Sequence, residues 1–293
     1  MQSSKIKKVK KNLFVGLAIN LFLVLAKGIT GIIGNSFALI ADAIESLADI
    51  FASILSIFGF SYASRPPDED HPYGHGKAEP LITFIIVLFL ILSAVFIIFQ
   101  SFKNFYEPQK TPKVWTLYIL ALIILAKEIY YRYSIRNNLS AGSSVLNAEA
   151  EHHRSDAMTS LAAFLGISVA VFMGPGYEIA DDIAALIAGI IILFNAYKIL
   201  RPALGEVMDE HLYDDFIAEI RNSTLEVNGA LATDKCWVRK QGIYFLVDLH
   251  LIVDGEISVD QGHEIAHAVK KHLIQKHPSI YNVLIHVEPF KKD

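Results

Sequence analysis

The chain has 293 residues, of which 53% are apolar and only 19% charged, against about 25% charged in an ordinary soluble protein. With a mean hydropathy of +0.40, this excludes a disordered chain, a nucleic-acid binder, a coiled coil and an ordinary soluble enzyme. One cysteine, Cys236, excludes a disulfide framework or a paired-cysteine metal site. The net charge of −4 hides two unlike parts: residues 1–206 carry 17 Lys+Arg and 16 Asp+Glu, whereas 207–293 carry 9 and 14 and hold seven of the eleven histidines.

A helix that crosses a hydrocarbon core of ~30 Å needs about 20 mostly apolar residues. Six stretches qualify when isolated charges are tolerated: 12–33, 36–63, 80–102, 113–135, 157–177 and 180–200. The first reads as a span and not as a cleaved signal peptide, because no small-residue cleavage site follows a short apolar core and Lys27 interrupts it. Lys5, Lys7, Lys8, Lys10 and Lys11 place the N-terminus in the cytoplasm by the positive-inside bias, and six spans return the C-terminus to the same side. Arg65, Lys77, Arg132, Arg136 and Arg201 agree with that orientation; Lys110 and Lys113 dissent.

After Pro202 the apolar pattern ends. Residues 212–225 predict an amphipathic helix, 231–240 and 243–254 two strands joined at Lys240-Gln241-Gly242, 258–276 a helix started by Ser258, and 281–288 a last strand. The expected fold class is an α-helical membrane protein: six transmembrane helices (1–206), then a C-terminal cytoplasmic αββαβ domain of metallochaperone-like layout (207–293).

A charge at bilayer depth costs at least about 2.5–3.5 kcal/mol, so each one is a functional hypothesis. Glu45 and Asp49 on the second span lie one helical turn apart, and His152 and Asp156 on the fifth have the same spacing. Two such helices face to face can close a shell of three carboxylates and one imidazole, which suits Zn²⁺ or another first-row divalent ion. His153 lies off that face and reads as a packing or lipid-interface histidine. Asp42 and Glu149, two turns away, read as rungs of an access path or as residues wetted near the helix ends. No cation accompanies these acids on either helix except Arg154. In the 2–3 loop, Asp68, His71 and His75 place a carboxylate and two imidazoles within eight residues. In the soluble part, Asp248 and His250 share a strand face, His286 and Glu288 share another, His263 and His267 sit one turn apart, and Asp234 opens the first strand. His211, His272 and His277 read as solvated surface residues.

The sequence resembles the cation diffusion facilitator family of divalent-metal/proton antiporters, of prokaryotic efflux type. The resemblance rests on Gly34-Asn35-Ser36, Ala41-Asp42-Ala43, the run from His71 to Glu79, and His152 with Ser155-Asp156. It implies a transport site of Glu45, Asp49, His152 and Asp156, with Glu45 standing where Asp or His is more usual. It implies a second ion at Asp68, His71 and His75, and metal binding in the C-terminal domain through Asp234, His250, His263, His286 and Glu288. It also implies a homodimer in the cell membrane that exports a divalent metal in exchange for protons by alternating access. Zn²⁺ leads as cargo and as regulatory ion, Fe²⁺ follows, and Mn²⁺ is disfavoured by the imidazole. The alternative is a membrane-anchored metal sensor without net transport. Neither reading involves enzymatic chemistry: there is no His-Glu-x-x-His motif and no evident nucleophile.

Overall fold

A computed structural model describes residues 18, 20–106, 110–138, 144–174, 176–242 and 244–290; of residues 60, 130, 133–138 and 144–158 it describes the backbone alone. Among these, six helices precede a small α/β domain: α1 (Asn20–Gly34), α2 (Phe37–Ala63), α3 (Ala78–Asn104), α4 (Trp115–Asn138), α5 (Ser144–Met173) and α6 (Ile179–Val207). α2, α3 and α6 are long and apolar enough to cross a membrane, and α1 and the Thr159–Met173 part of α5 are shorter apolar helices. Large apolar side chains such as Leu92, Phe96 and Phe99 on α3 and Ile190, Phe194 and Tyr197 on α6 are exposed. A water-soluble protein rarely shows so much apolar surface.

Contacts divide the chain into two compact units: one joins the chain up to Ile54 with Ile85–Lys198, the other joins Leu55–Phe84 with the chain from Ile199 onward. In the first unit, α1 turns into α2 through Asn35, whose φ of 55° is the left-handed conformation that ends a helix. The Ser36 N–H donates to the Gly31 carbonyl at 3.0 Å, and the Ser36 hydroxyl accepts from Leu39 N at 3.2 Å and so starts α2. Asp181 of α6 accepts from Ser36 Oγ (2.7 Å) and from the N–H groups of Phe37 and Ala38, placing a carboxylate on the positive end of α2. Gly189 of α6 lets that helix lie close to α3, since a Cβ there would meet Ile98 at 2.8 Å.

Two helices differ from expectation. α5 begins at Ser144, well before the apolar stretch expected from Ala157, because hydropathy registers only its apolar part while backbone hydrogen bonding continues through the polar turns. α6 runs through Pro202 to Val207; proline removes one backbone donor but its fixed φ is helical, so the flanking turns carry the helix on.

The C-terminal part has the expected αββαβ order: α7 (Asp214–Thr224), β1 (Ala232–Gln241), β2 (Tyr244–Val253), α8 (Val259–Lys276) and β3 (Ile280–Pro289). β2 is central, antiparallel to β1 and parallel to β3. Its alternation buries Val247, Leu249, Leu251 and Val253 against Ile217 and Ile220 of α7 and Val269 and Leu273 of α8, leaving Asp248 and His250 on the opposite face. Ser258 and Gln261 form a capping box at the start of α8.

Candidate functional site

Glu45 and Asp49 lie one turn apart on α2, both partly buried. α5 carries Glu149, His152, His153 and Asp156 in one continuous helix, but their side chains, and with them half of the expected shell, lie outside the described residues.

Asp42 differs from expectation. It is only 3% exposed, and Lys27 of α1, itself fully buried, places its ammonium 2.8 Å from the carboxylate. Lys27 also donates to Ser46 Oγ at 3.0 Å, and Ser160 of α5 donates to Asp42, its Oγ lying 2.9 and 3.1 Å from the two oxygens. Asp42 is therefore a paired, dry carboxylate and not a wetted rung. The cation comes from the neighbouring span, which a search along the second and fifth spans alone misses. A signal was present: Lys27 and Asp42 are equally far in sequence from the Gly34–Asn35 turn, so antiparallel helices bring them level.

The 2–3 loop draws Asp68, His71 and His75 together, with one ligand atom from each all within 4.8 Å of one another. Asp68 Oδ1 accepts from His71 N at 2.7 Å and lies 3.0 Å from His71 Nδ1, and Asp68 Oδ2 lies 3.3 Å from His75 Nε2. Desolvation opposes ionisation of this carboxyl, but the His71 N–H, the His71 ring and the charge of both imidazoles outweigh it and hold the group below its usual range. His75 is buried; its Nε2 faces Asp68, and its Nδ1 has no hydrogen-bond partner among the described residues.

In the C-terminal domain, the parallel register sets His250 beside His286 and Ile252 beside Glu288. One ligand atom from each of His250, His286 and Glu288 falls within the same 4.8 Å limit. His250 Nδ1 is 2.7 Å and His286 Nε2 3.8 Å from Glu288 Oε1. The hydrogen bond from His250, then the charges of His250, His286 and Lys235, hold Glu288 below the usual carboxylate range. Asp234 and His263 do not join this group within one chain. Asp234 falls at the irregularity in β1–β2 pairing between Thr233 and Cys236, and the His263 ring lies 4.5 Å from that of His267 on α8, tilted by 60°. Asp248 is taken up by Arg239 at 2.5 Å. His277, expected at the surface, is buried with its Nε2 3.0 Å from Ser223 Oγ, because it closes the end of α8 over the core. Burial pushes the Cys236 thiol up to about 11, which leaves it without the thiolate that metal binding needs.

Within the second unit, the 2–3 loop meets the C-terminal domain closely. Lys77 donates to Asp209 Oδ1 at 2.7 Å and to the Glu206 carbonyl at 2.6 Å. Gln241 donates to the Tyr73 carbonyl at 3.1 Å, and a Cβ on Gly76 would lie 2.4 Å from the Gln241 backbone, so only glycine fits.

Carboxylates buried in apolar helices, with imidazole–carboxylate groups in a loop and a small α/β domain, define a multi-pass membrane protein equipped to handle metal ions. Residues 13–208 match the cation efflux transmembrane domain and residues 212–290 the cation efflux protein cytoplasmic domain. The manganese efflux system protein MneP of Bacillus subtilis is 32% identical over 294 residues, covering 99% of both chains. The cation-efflux pump FieF of Serratia proteamaculans is 28% identical, covering 99% of this chain and 95% of its own. The solved C-terminal domain of the magnetosome protein MamM matches 27% of this chain at 23% identity with a TM-score of 0.26. The chain belongs to the cation diffusion facilitator family of membrane cation efflux transporters.

Proposed function

We propose that this protein exports a divalent first-row metal ion from the cytoplasm in exchange for protons, through a site made of Glu45, Asp49, His152 and Asp156. What supports the reading most is the pair of partly buried carboxylates one turn apart on α2, a helix of membrane-spanning length. Metal ligation requires ionised carboxylates and a neutral imidazole, so an arriving ion expels protons. An emptied site takes protons up again, because three like charges held close together resist all staying ionised. Alternating access then exchanges cargo for protons and draws on an inward proton gradient. Both termini are cytoplasmic, as the lysines of the N-terminal tail argue.

Zn²⁺ is the proposed cargo, on the imidazole-plus-carboxylate donor set. A second reading, Mn²⁺, is favoured by the manganese efflux relative that matches the chain end to end. Competition flux in proteoliposomes at equal free Zn²⁺, Fe²⁺, Mn²⁺ and Cd²⁺ separates them. His152→Asp makes the shell all-oxygen and is expected to move preference toward Mn²⁺, and Glu45→Asp to shift selectivity by shortening reach. Unchanged selectivity in both variants counts against the site.

Asp68, His71 and His75 are proposed to hold a second ion. The C-terminal domain is proposed to work as a regulator in a homodimer, with His250, His286 and Glu288 binding metal and Asp234 and His263 contributing once two chains meet. Ligands from two elements or two chains stabilise one arrangement by the difference in metal affinity between arrangements.

A further inference from the structure

We infer that Lys27, Asp42 and Ser160 form a positioning network that sets the spacing of the two ligand-bearing helices, and through it the affinity and ion preference of the transport site. This rests on the transport site proposed above. The network is dry: Lys27 and Ser160 are fully buried, Asp42 is 3% and Ser46 8% exposed. It links three helices through the ion pair of 2.8 Å, the Lys27–Ser46 bond of 3.0 Å and the Ser160–Asp42 contacts of 2.9 and 3.1 Å. On α2, Asp42 lies one turn from Glu45, and Ser46 is the residue next to it. On α5, Ser160 lies one turn beyond Asp156. The only described side-chain link from α2 to α5 in this network thus sits one turn from the proposed ligands on both helices.

Holding helices together does not require these charges. A buried ion pair is weak evidence for stability, since apolar groups of similar volume often serve as well. What a charge-assisted network adds is direction: its short bonds tolerate little sliding or rotation, whereas apolar side chains packed in lipid repack readily into neighbouring registers. Four ligands from two helices close tetrahedrally around Zn²⁺ at about 2.0–2.2 Å, while Mn²⁺ suits a more oxygen-rich, octahedral shell. A fixed distance between α2 and α5 therefore discriminates between ions before any ligand is changed.

The test measures initial flux of Zn²⁺ and Mn²⁺ in proteoliposomes over a range of concentrations. Ser160→Ala keeps the ion pair but cuts the link to α5. It is expected to raise KM by roughly three- to tenfold, the worth of one buried hydrogen bond, unequally for the two ions, so that the Zn²⁺:Mn²⁺ ratio of kcat/KM moves; Ser160→Thr is expected to restore both. The double variant Lys27→Met with Asp42→Leu replaces the pair by apolar groups and is expected to insert yet show the same altered ratio, which keeps the readout if Ser160→Ala fails to insert. A wild-type ratio and KM in inserted variants overturns the inference, as does a loss carried by kcat alone and equal for both ions. Asp49→Ala in the same assay separates the two claims. Wild-type flux there overturns the transport site and this inference with it, whereas an inactive Asp49→Ala beside an unaltered Ser160→Ala ratio overturns the positioning role alone.

Discussion

Asp42 on α2 and Glu226 beyond α7 each face a lysine, Lys27 at 2.8 Å and Lys276 at 2.5 Å. The side chains of the first pair are 0% and 4% exposed, those of the second 39% and 49%. Solvent screens the second pair, and losing it costs little because water replaces the partner. In the first, no water replaces either partner, so an unpaired charge is left dry. Among the acids of the membrane helices, Asp42 is matched by a lysine, and Glu45 and Asp49 are the ones we propose as ligands for the cargo. In the C-terminal domain, Glu288 instead lies among imidazoles, 2.7 Å from His250 and 3.8 Å from His286.

The sharpest way to break this contrast is to remove a cargo ligand. Asp49→Ala and Asp156→Ala are each expected to abolish metal flux while the protein still inserts and dimerises, read by proteoliposome uptake and size-exclusion chromatography. Next is the matched charge: Lys27→Met alone strands Asp42 and is expected to cost about 3–5 kcal/mol, read as a fall in Tm of the detergent-solubilised protein, most of which Asp42→Leu in the same chain recovers. A smaller effect is expected from His250→Ala with His286→Ala. The metal concentration needed for half-maximal activity rises while transport persists at saturating metal; total loss of flux in the folded variant would place these residues in the conduit. Smallest is Glu226→Gln. Lys276, then His272, hold Glu226 below its usual 4.5, so its contribution is present above that pH and is lost as pH falls through the folded value. The substitution is expected to lower Tm slightly at neutral pH and not at all in strong acid, by thermal denaturation at both.

The C-terminal domain was legible because its signals are local. Ser258 at a helix start, Lys240-Gln241-Gly242 at a turn and strict alternation in β2 each specify structure within a few residues, and the observed ends of β2 and α8 fall within a residue of expectation. The His250–His286 pairing needed one further step, the parallel register, which alternation does not carry. Lys77 and Asp209 carry opposite charges and flank the end of the membrane part, so charge and position suggest the pair that meets at 2.7 Å. Spans were harder. Hydropathy found the apolar parts of α5 and α6 but not their polar ends, because backbone hydrogen bonding ignores which side chains are apolar. The Lys27–Asp42 pair is hidden from any reading of one helix at a time, because it forms across the hairpin that joins α1 to α2.

Proton coupling at the α2–α5 site is the central claim, and flux in vesicles under an imposed pH gradient tests it most directly. With the protein in proteoliposomes and free metal held constant, the account predicts that metal transport accelerates under a proton gradient directed against it, that protons move oppositely as metal moves, and that apparent metal affinity falls steeply between about pH 7 and 6, where imidazole protonates. Metal flux with no proton counter-movement, and an affinity flat across that range, would contradict it and leave a uniporter in its place.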